Sequence, residues 1–334
     1  MTAPPKPPVI KDVARKAGVS VATVSRIIRD APYVSDEKRV RVLAAIKDLD
    51  YRTSPAARAL VARQPKLIAV IAGNTSRYGY AETIRGIEES ARQAGYVVSI
   101  TVVESADDDT VDHAIGLVLD QPVAGIVVLK FDPPGVAALR HLPASIPTVA
   151  IAGTREPGVP QAVLAEADAA AEAVAYLLQL GHATVHHVRV PPSRKEDGRT
   201  TGWKRALRQH GAPVPPILDA TWDPQSGREI GQRLAGDPAV TAVFCGNDEI
   251  AMGVIRGLAD KGKHVPRDVS VIGFDDHPLA RLWTPALTTV KQDFSNLGAR
   301  AYKLLQTTID GKRTPQYSSQ RPMLVIREST APPP

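Results

Sequence analysis

The sequence predicts an α/β protein with a small helical domain at its N-terminus and a large two-lobed core. Two observations predict this fold. Residues 9–29 read VIKDVARKAGVSVATVSRIIR, where two short helices with apolar periodicity flank a turn at Gly18. From Leu67 onward, apolar strands such as LIAVIA, GIVVL and PTVAIA alternate with amphipathic helices, which is typical of parallel sheets covered on both faces. The 334 residues suffice for a small module and one large or two medium domains.

The first two helices have the layout of a helix-turn-helix DNA-binding motif. Ser20 opens the second helix, and Ser35 is the predicted N-cap of a third, with Asp36 and Glu37 in the first turn, where the helix dipole favours negative charge. Three short helices around one apolar centre make a minimal stable module. The residues predicted to face that centre are Ile10, Val13, Ala14, Ala17, Val24, Ile28, Val42, Leu43, Ile46 and Leu49.

The positive charge of the chain is concentrated at its N-terminus. Residues 1–62 carry twelve Lys or Arg and six Asp or Glu, and their net charge of +6 equals that of the whole chain. The other residues are balanced, with no net charge. This asymmetry favours binding of a phosphate backbone over an ordinary solvated basic surface.

The second helix supplies the candidate side chains for reading DNA. Arg26 can make a bidentate contact with a guanine edge, whereas hydroxyl groups donate to phosphates and apolar side chains contact a thymine methyl. In the alternative interpretation, Arg26 is a surface residue of an ordinary helical hairpin. The candidate DNA-contacting residues on this module are Ser20, Val21, Ala22, Thr23, Ser25, Arg26 and Ser35.

Residues 52–63 are predicted to form a short hinge helix. Ser54 followed by Pro55 suits an N-cap and first helical position, and AARALVA has high helix propensity. The segment is too short to be stable alone in water, so a flexible tether is the alternative. Leu60 is an apolar residue that fits between base steps of a minor groove, unless it packs against the core.

The remaining composition favours a cytoplasmic protein that is neither membrane-bound nor an enzyme. The single cysteine, Cys245, excludes a disulfide framework, and we expect it to pack in a buried strand. No apolar run reaches membrane-spanning length, and no signal peptide or Walker A, HExxH or GxSxG motif occurs. His182, His186 and His187 lack partners at metal-ligand spacing, so we expect structural roles for them, with no metal and no cofactor.

Over nearly its full length the chain resembles the lactose-repressor/galactose-repressor family of bacterial transcriptional regulators. DVARKAGVSVATVSRIIRD is similar to the N-terminal signature of that family, and YRTSPAARAL to its hinge helix. CGNDEIAMGVIRGL, VSVIGFDD, LTTVKQDF and LVIREST are similar to segments of its core. The resemblance implies a homodimer on a pseudo-palindromic operator in double-stranded DNA, with Ala57 and Leu60 of the hinge at the central minor groove. It also implies a core like that of periplasmic sugar-binding proteins, with a small effector between its lobes.

The predicted domains follow from this organisation. They are a disordered tail at 1–8, a DNA-binding domain at 9–51, a hinge helix at 52–63, an effector-binding and dimerisation core at 64–330 and a tail at 331–334. Within the core, the N-lobe is predicted at about 64–165 and 293–320, and the C-lobe at about 166–292 and 321–330.

The resemblance assigns Arg199, Asn247 and Asp275 to the effector site. Asn247 and Asp275 end the strands TAVFCG and VSVIGF, and ligands of open α/β sheets bind beyond the carboxyl ends of strands. Arg and Asp suit bidentate hydrogen bonds with vicinal hydroxyls, as in a sugar. The candidate effector-binding residues are Tyr78, Tyr80, Arg199, Trp222, Asn247 and Asp275. The aromatic residues among them would stack on a sugar face. In the alternative interpretation, Asp248 or Asp276 only caps a helix and the tyrosines only line the surface.

The chain also departs from the family pattern. Ala152 stands where many relatives carry an aspartate, and AVLAEAD replaces the usual acidic–Asn pair near the lobe crossing. The N-lobe side of the pocket is therefore altered, so the resemblance does not by itself imply the simple sugar effector that is usual in the family. The family's C-terminal heptad extension is absent, so a dimer is the expected limit. We consider three functions: a regulator, a solute-binding transport protein of the same core fold, and a cytosolic enzyme on the same sheet architecture.

Overall fold

The computed structural model describes residues 8–28, 34–51, 65–153, 155, 157–193 and 197–334. They belong to two units, Met1–Pro65 and Lys66–Pro334. The second unit consists of strands and helices in alternation, and the predicted α/β class is confirmed. The predicted hinge helix, with Ser54, Ala57 and Leu60, lies outside the described residues.

The first unit contains three short helices around one apolar centre. They are α1 (Ile10–Ala17), α2 (Val21–Ile28) and α3 (Asp36–Asp48). The fully buried centre consists of Val13, Ala14, Ala17, Val24, Ile27, Val42 and Ala45. The side chains of Ile10, Ile28, Ile46 and Leu49 pack against it while staying partly exposed.

Two details of the predicted helical centre are corrected. Ile27 of α2, rather than Ile28, is the fully buried isoleucine, because it follows Val24 by three residues on the inward face. Leu43 of α3 is 53% exposed, and Ala45 lies in the centre instead. Val42, Ala45, Ile46 and Leu49 follow the i, i+3, i+4, i+7 spacing of one helix face, which leaves Leu43 outside it.

The second unit contains two parallel sheets, each at the centre of one lobe. The N-lobe sheet has the order β11–β5–β4–β3–β1–β2, and the C-lobe sheet has the order β7–β6–β8–β9. The N-lobe strands are β1 (Leu67–Ala72), β2 (Val97–Val102), β3 (Val123–Leu129), β4 (Thr148–Ala152), β5 (Gln161–Leu164) and β11 (Tyr317–Gln320). The C-lobe strands are β6 (His186–Arg189), β7 (Leu218–Asp219), β8 (Ala242–Cys245) and β9 (Ser270–Ile272). A separate antiparallel pair joins β10 (Thr289–Lys291) to β12 (Met323–Val325).

Helices cover both faces of each sheet, as near-continuous apolar strands require. The N-lobe helices are α4 (Tyr78–Gln93), α5 (Asp108–Leu119), α6 (Pro133–His141) and α11 (Phe294–Ile309). The C-lobe helices are α7 (Glu166–Gln179), α8 (Gly198–Gln209), α9 (Pro224–Leu234) and α10 (Asp248–Asp260). The chain passes from one lobe to the other between β5 and α7, between β10 and α11, and between β11 and β12.

The C-terminal segment is hydrogen-bonded to the C-lobe through Ala331. The backbone N–H of Ala331 donates to the Ser270 hydroxyl at 2.9 Å, and the carbonyl oxygen of Ala331 accepts from the same hydroxyl and from His182 Nε2. These bonds tie the end of the chain to the C-lobe, because Ser270 is the first residue of β9.

Of the clustered histidines at positions 182, 186 and 187, the first and the last form side-chain hydrogen bonds within the C-lobe. His182 bonds to Thr241 and Ala331, and His187 bonds to the Phe244 carbonyl and the Thr200 hydroxyl. Burial lowers the pKa of His187 to about 4, so its imidazole is neutral at physiological pH. Cys245 lies buried in β8, where burial raises the pKa of its thiol.

Candidate functional site

The turn between α1 and α2 is fixed by two local features. Gly18 adopts the left-handed conformation at φ 64°, and its N–H and that of Val19 bond back to carbonyls of α1. The Ser20 hydroxyl oxygen then accepts from the backbone N–H of Thr23 at 3.1 Å, which caps α2. The Thr23 hydroxyl bonds to Ser20 at 2.9 Å, so both hydroxyls have a local structural role.

The outward face of α2 carries most of the residues expected to contact DNA. Val21, Ala22 and Arg26 are exposed, and Ser25 is partly exposed, while Val24 and Ile27 point into the helical centre. Ser35 occupies the N-cap position of α3, but its side chain makes no capping hydrogen bond. Its exposed hydroxyl therefore differs from that of Ser20, which caps its helix.

A cleft of about 970 Å³, counting its open mouth, separates the two lobes of the second unit. Its walls come from the starts of helices and the ends of strands in both lobes, the position expected for ligands of open α/β sheets. The six candidate effector residues all line it, and so does Ala152. The other lining residues include Arg77, Lys130, Phe131, Gly153, Glu166, Asp197, Glu249 and Phe294.

Arg199, in the first turn of α8, is held by three partners. One terminal nitrogen donates to the Gly246 carbonyl, and the other lies 3.1 Å from Glu166 Oε1 and 3.6 Å from Asp275 Oδ1. The guanidinium carbon is 4.6 Å from the centroid of the Phe274 ring, so the ring supports its apolar face. All three charged side chains of this cluster, Arg199, Glu166 and Asp275, are at least 85% buried.

Asp275 follows the C-lobe strand β9 in a strained backbone conformation. Its φ of 114° lies in a region that residues other than glycine rarely adopt, and Asp276 follows at φ 55°. Gln292 Nε2 donates to Asp275 Oδ1 at 2.7 Å. Burial raises the pKa of Asp275 to about 6, although the charge of Arg199 and the bond from Gln292 act in the opposite direction.

Asn247 and Asp248 have different roles at the start of α10. Asn247 Oδ1 caps the helix by accepting from the backbone N–H of Ile250 at 2.9 Å, and its amide nitrogen lies 3.3 Å from Glu249. Asp248 is buried, where it accepts from Thr289 Oγ1 and from the backbone N–H of His277 at 2.6 Å. Asn247 therefore combines capping with a place in the cleft wall, whereas Asp248 holds β10 and the segment after β9 together.

The three aromatic candidates differ in how available they are. Tyr80 is almost completely buried, and its hydroxyl donates a hydrogen bond to Asp132. Its ring therefore has little exposed surface on which a ligand could stack. Tyr78 is partly exposed and contacts His277 edge to ring, with centroids 4.8 Å apart. Trp222 is also partly exposed, and the Arg77 guanidinium lies 4.2 Å from its ring centroid.

Glu166 and Arg77 line the cleft and Gln292 supports Asp275 from beside it, although the sequence did not predict these roles. Glu166 stands within AVLAEAD, the segment that departs from the family pattern, and this departure marked the segment but not the residue. Arg77 precedes α4 and adjoins Tyr78, which was selected. Gln292 carried no signal, because a polar residue after a short strand fits many surface positions.

Among the described residues, no helix combines the length and the apolar character of a membrane span. In the same part of the chain, His, Cys, Asp and Glu side chains do not come together in any group of three or more that could hold a metal ion.

Two family descriptions match the chain. Residues 9–54 match the bacterial regulatory proteins of the lacI family, and residues 174–330 match the periplasmic binding protein-like domain. Both matches agree with the units that the structure separates.

Known proteins resemble the chain along almost all of its length. It is 34% identical to the HTH-type transcriptional repressor PurR of Escherichia coli O139:H28, over 96% of each protein. The crystal structure of the lac repressor dimer bound to operator and the anti-inducer ONPF is similar with a TM-score of 0.91 and 27% identity, covering 98% of this chain and 100% of that one. The complex of the transcriptional regulator CelR with cellobiose is similar with a TM-score of 0.71 and 25% identity, covering 96% and 99%. The chain therefore belongs to the lacI family of bacterial regulatory proteins, and it is a DNA-binding transcriptional regulator.

Proposed function

We propose that the chain is a cytoplasmic transcriptional repressor whose affinity for a pseudo-palindromic operator is set by a small polar effector. The observation that carries the proposal is the combination of an exposed recognition surface on α2 with a cleft lined by Arg199, Asn247 and Asp275 in one chain. An effector that binds one arrangement of the lobes better than another shifts the population toward it, and operator affinity follows. The effector is bound and released unchanged.

On DNA, α2 enters the major groove with its exposed face toward the bases. Arg26 donates to a guanine edge, and Val21 and Ala22 contact thymine methyls. The serine and threonine hydroxyls at Ser25, Thr23, Ser20 and Ser35 contact phosphates, which fixes the register of the protein. Ala57 and Leu60 of the hinge reach the central minor groove.

The homodimer forms through the second unit. Strand β2 is an edge strand of the N-lobe sheet, and Val97, Ile100 and Val102 on it are 67%, 47% and 41% exposed. Long apolar edge strands expose monomers to aggregation, so covering this strand with a second copy removes that hazard. The related lac repressor structure is also a dimer. Ile100→Lys should therefore disrupt the dimer, and sedimentation of this variant should show a monomer.

The effector binds in the cleft between the lobes and is a sugar or a sugar derivative. Related regulators have been solved with cellobiose and with ribose. In this chain, Trp222 and Tyr78 supply partly exposed rings, and Asp275 and Arg199 supply the polar floor. These groups suit a small ring with hydroxyl substituents.

The DNA-binding part of the proposal is tested with Arg26→Ala against Arg15→Ala. Operators are selected from fragments of genomic DNA, and binding is measured by fluorescence anisotropy at several salt concentrations. Loss of a bidentate base contact costs about 1–3 kcal/mol, so Arg26→Ala should weaken operator binding by about 5- to 150-fold and reduce sequence selectivity. Arg15 on α1 is 80% exposed and serves as the matched charge control. Equal weakening by the two variants, or binding without sequence preference in the parent protein, would contradict the proposal.

A further inference from the structure

Glu166 occupies an unusual place in the cleft. It is the first residue of α7, directly after the chain passes from the N-lobe sheet to the C-lobe, and it is buried. Two glycines leave room for it. A Cβ atom at Gly153 would lie 2.6 Å from Glu166 Oε2, and one at Gly198 would lie 3.1 Å from Glu166 Cβ. At both positions beside the Glu166 side chain the residue is therefore glycine, and a larger residue there would crowd that side chain.

The carboxylate of Glu166 takes up the hydrogen-bonding capacity of Arg199 that faces the cleft. Arg199 donates to the Gly246 carbonyl through one terminal nitrogen and to Glu166 through the other, while Asp275 lies 3.6 Å from the second nitrogen. One guanidinium thus faces two carboxylates, and the cluster carries a net negative charge when both are ionised. An anionic ligand would have to displace Glu166 from Arg199 or add a third negative group at this floor.

The other charged lining residues that the structure describes do not reverse this balance. Among them, Asp197 and Glu249 add negative charge, and the cations besides Arg199 are Lys130 and Arg77, the latter resting on Trp222. An ionised carboxylate only accepts hydrogen bonds, so Glu166 and Asp275 select ligand groups that donate. Hydroxyl and amine groups do so, whereas phosphate and carboxylate groups do not.

We infer that Glu166 is a specificity-determining residue of this cleft, which excludes anionic ligands and accepts an O–H or N–H from an uncharged or cationic one. The inference rests on the proposed effector function and specifies the ligand class that the cleft accepts. Hydroxyl-rich rings and their amine derivatives share the required chemistry. Acidic and phosphorylated forms of the same rings are excluded.

The test uses matched ligands that differ only in charge. Glucose, glucosamine, glucuronate and glucose 6-phosphate form one set, and the corresponding galactose and mannose compounds form two more. Ligand binding is measured by the shift in melting temperature and by calorimetry, since a ligand stabilises the folded state by RT ln(1 + [L]/Kd), where [L] is its free concentration. In the parent protein, the compounds that bind should be uncharged or cationic, and comparing the hexose with the hexosamine identifies which donor is preferred.

Glu166→Gln is the informative variant, because its amide oxygen still accepts from Arg199 while the charge is lost. It should bind the uronate or phosphate at least about 10-fold more tightly relative to the uncharged member of the same set, about 1.4 kcal/mol. Asp168→Asn is the matched control, since Asp168 lies in the same helical turn and forms an exposed pair with Arg205.

Two results would overturn the inference: an anionic compound that binds the parent protein as tightly as its uncharged counterpart, or a ratio of anionic to uncharged binding in Glu166→Gln equal to that in Asp168→Asn. The first is read on the parent protein and does not depend on folding of the variant. Operator binding of ligand-free protein is measured on the same samples. Its absence would contradict the proposed function, while the charge preference is judged from ligand binding alone.

Discussion

The guanidinium of Arg77 lies over the indole ring of Trp222, with 4.2 Å between the guanidinium carbon and the ring centroid. Arg77 precedes α4 of the N-lobe, and Trp222 follows β7 of the C-lobe. The neighbouring Tyr78 makes a second contact between the lobes, with His277. These two contacts connect the lobes at the cleft, so they contribute to the balance between closed and open arrangements.

Arg77→Ala should shift the ligand-free core toward a more open arrangement. A cation–π contact is worth about 0.5–2 kcal/mol depending on its exposure, and about 1 kcal/mol changes a two-state ratio roughly fivefold. Small-angle X-ray scattering should show a larger radius of gyration for this variant. Arg92→Ala, which removes an exposed i, i+4 pair with Glu88 on the same helix, should leave scattering unchanged. Identical scattering from both variants would show that the Arg77 contact does not hold the lobes.

The pKa of Asp275 predicts a specific dependence of core stability on pH. Because burial raises this pKa from 3.8 to about 6, the folded protein retains a proton that the unfolded chain loses as pH rises. As pH rises from about 4 to about 6, the contribution of Asp275 to the free energy of unfolding therefore falls by on the order of 3 kcal/mol in total. Above that range its contribution stays constant. The pKa of the buried Asp248 is raised too, chiefly by burial, and acts with the same sign.

Urea unfolding of the parent and of Asp275→Asn, followed by tryptophan fluorescence, isolates this effect. All three tryptophans, at positions 203, 222 and 283, belong to the core, so the signal reports that unit. Asparagine also tolerates positive φ better than most residues, which limits added strain at 114°. The stability of the parent relative to the variant should fall between pH 4 and pH 6. A constant difference across that range would show that Asp275 does not titrate there.

The sequence predicted those features that depend on local pattern. The left-handed turn at Gly18, at φ 64°, lies where the helical periodicity of α1 stops. The resemblance assigned Arg199, and Asn247 and Asp275 were assigned also by their place at strand ends; all three line one cleft. Such features need only neighbouring residues or a general rule of sheet topology.

Features set by distant partners could not be predicted in this way. An acidic residue in the first turn of a helix fits the helix dipole, so Glu166 gave no indication that its carboxylate meets Arg199, 33 residues away. The burial of Tyr80 depends on Asp132, 52 residues away. Strands of three or four residues such as β10 and β12 are too short for a periodic signal, and they pair across more than 30 residues.

Ser20 provides a test that separates capping of α2 from contact with DNA. Ser20→Ala removes the bond to the N–H of Thr23 and should cost about 1 kcal/mol, seen as faster hydrogen exchange of the α2 amides in the full chain. Ser20→Asp keeps a capping oxygen and should restore slow exchange, yet its charge should weaken operator binding by repelling phosphate. Normal operator binding by Ser20→Asp would show that Ser20 acts only as a cap.

Arg199→Ala should both remove the effector response and destabilise the core. The substitution leaves Glu166 and Asp275 buried without their cation, and breaking a buried pair in this way costs about 3–5 kcal/mol. Glu166→Ala combined with Arg199→Ala should lose less stability than the sum of the single changes, because one of the stranded charges is then absent. Arg205→Ala is the matched control, since Arg205 also joins α8 to α7 through Asp168 but lies at the surface, where a pair contributes about 0–1 kcal/mol. Equal losses of unfolding free energy in urea for Arg199→Ala and Arg205→Ala would show that the buried cluster does not stabilise the core. Operator binding by Arg199→Ala that still responds to effector would show that Arg199 is not part of the effector site.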